Sequence, residues 1–71
     1  MSKIKQKFGK VVRKRRGQLK LSQEAFALSA GLHRTYISRV ELGKVMVTLE
    51  VAHRIAKALK IPLDKLIRQA E

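Results

Sequence analysis

Apolar residues recur three and four positions apart along most of this chain, the spacing that puts them on one face of an α-helix. Phe8 and Val12 share the inner side of a helix predicted from about Lys5 to Leu19, with the aliphatic stem of Arg15 or Arg16 beside them and the charged head in water. Phe26, Ala27 and Ala30 mark a second helix. Ser22 begins it by offering an oxygen to an orphan first-turn amide, and Glu24 adds negative charge at the positive end of the helix dipole. Gly31, easily placed at positive φ, ends it. A third helix resumes after His33, its expected N-cap, with Ile37 and Val40 inside and Arg34, Thr35, Ser38 and Arg39 outside. Thr48 is a candidate N-cap for a fourth, in which Leu49, Ala52, Ile55, Ala56 and Leu59 make a stripe with the spacing of a buried face. Ile61-Pro62 breaks that helix, and Pro62 suits the first turn of a fifth carrying Leu63, Leu66 and Ile67. Leu21 closes the core before Ser22, and the expected fold class is all-α with five helices.

The breaks between helices are less regular. Lys20 stands where a glycine would end the first helix sharply, whereas Gly43 suits a left-handed stop for the third. Val45-Met46-Val47 puts three apolar residues in a loop, either packed on the fourth helix or forming an apolar strip at a subunit or DNA surface. His53 falls off the apolar stripe and reads as a surface residue.

Charge changes the picture most. Seventeen Lys and Arg against five Asp and Glu give a net charge of +12 over 71 residues, which points to a polyanionic partner. Met1 to Lys20 holds Lys3, Lys5, Lys7, Lys10, Arg13, Lys14, Arg15, Arg16 and Lys20 and no acid. Residues 1–7 are therefore expected to form a basic N-terminal arm, or else a solvated tail, ahead of one domain over 8–71. There is no cysteine, and two isolated histidines give no zinc spacing. No apolar run is long enough to span a bilayer, and the apolar residues among the N-terminal charges are too few for a strong interfacial helix. Catalysis is not expected, because the acids are dispersed, no glycine-rich phosphate loop is present, and no serine or histidine has a partner to orient it. No cofactor, metal or small-molecule ligand is expected, and the setting expected is a cytoplasm.

Two short helices joined by a tight Ala30-Gly31 turn are the outline of a helix-turn-helix, whose second helix enters the DNA major groove. LSQEAFALSAGLHRTYISRVELGK resembles the phage-repressor or Xre-type family, with LSQ opening the second helix, AG making the turn and ISR-hydrophobic-E-x-G closing the third. HRTYIS is also similar to the matching stretch of restriction-modification controller proteins. The resemblance, from about Phe8 to Ile67, implies a lambda-repressor-like five-helix DNA-binding domain. It implies base contacts from Arg34, Thr35 and Arg39, with Tyr36 touching a base or the backbone or simply packing at the helix edge. It implies phosphate contacts from Gln23 and Lys44, and Ser38 on the exposed face could serve phosphate or base. Arg16 matches a position that pairs with the position of Glu41; a solvated arginine is the alternative.

These features lead to an expected homodimer that binds double-stranded DNA at a two-fold operator and controls its own gene, joined through a helix-five patch of Leu63, Leu66 and Ile67 of which one monomer's core is expected to hide only Leu66 fully. An antitoxin built on the same fold is a rival reading, as is a charge-driven binder without sequence preference.

Overall fold

The computed structural model describes residues 3–71, and among them the chain forms α1 (Ile4–Gln18), α2 (Gln23–Ala30), α3 (Arg34–Glu41), α4 (Leu49–Ala58) and α5 (Leu63–Gln69). Side-chain caps start α2 and α4: the Ala25 amide donates to Ser22 Oγ at 3.0 Å, and the Val51 amide to Thr48 Oγ1 at 3.2 Å. Pro62 stands just before α5, with φ −60° and ψ 142°. Four of the helices stop in one way, with a residue at positive φ and a following amide that reaches back to the last turn. Gly31 and Gly43 supply that residue after α2 and α3, and Lys20 and Lys60 after α1 and α4. The Leu21, Leu32, Lys44 and Ile61 amides then donate to the Arg16, Ala27, Arg39 and Ala56 carbonyls. The Lys20 stop is therefore as sharp as a glycine stop.

Phe8, Val12, Phe26, Ile37, Val40, Ile55, Leu59 and Leu66 are fully buried and make the centre of the core. α1 packs on α3 and α5, α2 on α3 and α4, and α4 on α5. Contact between α1 and the end of α3 depends on Gly9, since a methyl there would overlap the Val40 carbonyl oxygen. Val45 and Val47 turn inward against the core while Met46 stays exposed, so the apolar loop is mostly packing.

Several expectations need correction. Leu49, assigned to the buried stripe, is 75% exposed in the first turn of α4. The boundary drawn after residue 7 falls inside α1, and Lys7 Nζ donates to the Glu71 carbonyl at 3.1 Å, so Lys5 and Lys7 belong to a helix. Met1 and Ser2 of the expected arm lie outside the described residues. The head of Arg15 is not left to water: Nε donates to the Leu59 carbonyl at 3.0 Å and Nη2 to the Lys60 carbonyl at 3.4 Å, placing a cation on the negative end of α4. Leu66 is 0% exposed within one protomer, because it faces the core between α1 and α4. It therefore has no surface to offer a partner, and only Leu63 and Ile67, both half-buried, remain of the proposed dimer patch.

Candidate nucleic-acid interface

α3 is anchored through Ile37 and Val40, both fully buried, and through the carboxylate of Glu41. Arg16 reaches that carboxylate with two donors, Nε to Oε2 at 2.6 Å and Nη2 to Oε1 at 3.0 Å, and sends Nη1 to the Leu21 carbonyl at 2.8 Å. Gln23 Nε2 donates to the same Oε1 at 3.0 Å. One carboxylate thus ties α1, the start of α2 and the end of α3 together. No buried side-chain nitrogen or oxygen among the described residues lacks a partner. The Glu41 hydrogen bond raises the Arg16 pKa above its already high ordinary value, with burial opposing and charge attraction adding.

At 100° per residue, the side chains opposite Ile37 and Val40 are Thr35 and Arg39, and both are exposed. Arg34, in the first turn, is also exposed. Ser38 is half-buried on the side of α3 facing α2, where it shares a shallow cleft with Gln23, Arg34 and Thr35. Tyr36 is half-buried on the other flank and packs against the core, which favours its role as an edge residue. Lys44 is exposed just beyond Gly43. His33 holds the N-cap backbone position of α3 without a capping side-chain bond. The molecule therefore gathers Gln23, Arg34, Thr35 and Ser38 at one cleft, puts Arg39 on the face opposite the core, and sets Lys44 at the far end of the helix. The Gln23–Glu41 bond has no sequence signal beyond the residues themselves, because it depends on α2 and α3 being brought together.

A rigid two-helix unit with a basic, polar outer face on its second helix defines a helix-turn-helix DNA-binding regulator. Residues 12–66 match the Helix-turn-helix family, and the chain belongs to that family, in its Xre or phage-repressor form. Among its relatives, it is 40% identical over 72 residues to control protein C.MunI of a Mycoplasma species, covering 100% of this chain and 97% of that protein. It is 44% identical over 64 residues to control protein C.SmaI of Serratia marcescens, covering 90% of this chain and 76% of that one. The crystal structure of the restriction-modification controller protein C.AhdI from Aeromonas hydrophila is similar at a TM-score of 0.84 and 39% identity, covering 87% of this chain and 94% of that chain.

Proposed function

We propose that this chain is a cytoplasmic, sequence-specific regulator of a restriction-modification locus, its own gene included, and that it binds a two-fold duplex operator as a homodimer. The outer face of α3 carries the reading. Arg34 and Arg39 are exposed there with the reach to meet guanine O6 and N7, and Thr35 can touch a thymine methyl or a base acceptor. Gln23, Ser38 and Lys44 surround them as phosphate contacts that set register. Base reading needs side chains held on a fixed scaffold, and the Arg16–Glu41–Gln23 network with Gly9 supplies one beneath α3. The relatives are described as control proteins, which favours regulation over the antitoxin alternative.

Selection of bound sequences from a random duplex library tests this. The expected result is one motif present twice in inverted order, with centres about one helical turn apart. Enrichment of no motif would sink sequence specificity, and a single unrepeated motif would sink the dimer.

A further inference from the structure

The positive charge of this protein is not confined to α3. On the other side of α1, one groove is lined by Lys14, Arg15 and Gln18 of α1, Lys60 of the turn before α5, and Lys65 and Gln69 of α5, with the apolar Val11, Ile61 and Pro62 between them in the lining. At ~100° per residue, Gly9 and Arg16, which face α3, lie within about 20° of each other on α1, while Lys14 and Gln18 lie about 140 to 180° from Gly9. α1 therefore stands between the groove and the recognition helix. Arg15 is occupied by the carbonyls at the end of α4, which leaves Lys14, Lys60 and Lys65 as the exposed cations. The ion pairs among the described residues, Arg16–Glu41 and Glu50–Arg54, lie elsewhere. Asp64 borders a neighbouring cleft that also includes Lys65 and Arg68.

We propose that this groove takes the phosphate backbone of a second DNA duplex, so that one protomer bridges two DNA segments. The inference rests on the DNA-binding reading above. Flexible lysines and amide side chains fit phosphate contacts without base discrimination. A single strand is less suited, because single strands bind by stacking on aromatic rings and none lines this groove: Phe8 and Phe26 are buried, and Tyr36 is on α3. A duplex here does not compete with one on α3, which faces away across α1. Nor does it compete with a dimer made through Ile67, which points about 160 to 200° away from Lys65 and Gln69 around α5.

The test immobilises a duplex carrying the selected site and offers a fluorescent duplex of unrelated sequence in solution, at physiological salt. Wild-type protein should retain the second duplex on the first. The double variant Lys14→Glu, Lys65→Glu, with an unchanged circular-dichroism spectrum and melting, should hold the immobilised duplex yet lose capture of the second at least tenfold. Unchanged capture by that variant would overturn the proposal, since the two duplexes would then be held by two recognition helices. Displacement by polyglutamate with no capture of a second duplex would overturn it in favour of an acidic protein partner. Binding of the immobilised duplex without capture overturns the bridge alone, whereas no binding to any duplex removes the functional reading as well.

Discussion

Lys20 and Lys60 hold φ near 58° and 57°, a conformation that costs an L-residue about 1–2 kcal/mol and glycine almost nothing. Lys20→Gly should therefore raise stability, by roughly 0.5–1 kcal/mol after the larger unfolded-state entropy of glycine is subtracted. Urea unfolding reads the change, and a lower midpoint would show that the Lys20 side chain contributes more than its backbone costs. Glu41 is the opposite case, a single group on which three elements depend. Glu41→Ala leaves the largely buried Arg16 guanidinium without its carboxylate and should cost about 3 kcal/mol. Because the folded state raises the Arg16 pKa, the contribution of its charge is complete below the unfolded value and declines only as pH rises through the folded one. The arginine end of the pair therefore gives stability no slope near neutral pH, and the Glu41→Ala penalty should be the same at pH ~7 and ~9. The caps at Ser22 and Thr48 were legible from the sequence because each bond spans three residues. The Arg15 cap on α4 was not, because its acceptors lie more than forty residues along the chain and depend on how α1 meets α4.

For whole elements, periodicity assigns the angle of a side chain around a helix but not where the neighbouring helices end. Ala52, Ile55, Ala56 and Leu59 fell inside as their spacing requires, while Leu49 shares the pattern and projects from the first turn, largely uncovered. Likewise the alternation of Val45, Met46 and Val47 between core and solvent followed from packing that their apolar character alone did not decide. The outer face of α3 was the most legible part of the site, because its inner face is defined by Ile37 and Val40. Arg34→Ala or Arg39→Ala should cost about 1–3 kcal/mol on the selected site and relax preference at one base position per half-site, with folding intact. Equal weakening on selected and random duplexes would count against base reading. The basic start of α1 makes a different demand. Replacing Lys3, Lys5 and Lys10 with Gln, which spares the Lys7 contact to Glu71, should weaken all duplexes alike. It should also flatten the slope of log K against log salt by roughly 0.9 per lost phosphate contact. A slope that does not change would mark these lysines as solvated.

At the scale of the whole molecule, one eight-residue helix covers only a few base pairs, too few to single out a site in a genome, and the proposed homodimer would set two such helices at a fixed spacing. The surface for that pairing is what the core leaves of α5 once Leu66 is hidden, as its central place in the i, i+3, i+4 pattern led one to expect. Leu66 is consumed by the protomer's own core, and Leu63 and Ile67 are left half-covered at the rim of α5. A two-fold axis through that rim would complete their burial with the same residues of a second copy, while exposed Met46 and Leu49 offer a competing apolar surface at the entry to α4. The two arrangements separate cleanly. Ile67→Lys should give a folded monomer that binds one half-site weakly and loses cooperative binding to the full operator, whereas Leu49→Lys should leave the dimer intact. Sedimentation of both variants, free and on a palindromic duplex, reads the difference. The reverse pattern would move the interface to the α3–α4 loop, and a wild type that stays monomeric both at high concentration and on the palindrome would remove the dimer altogether.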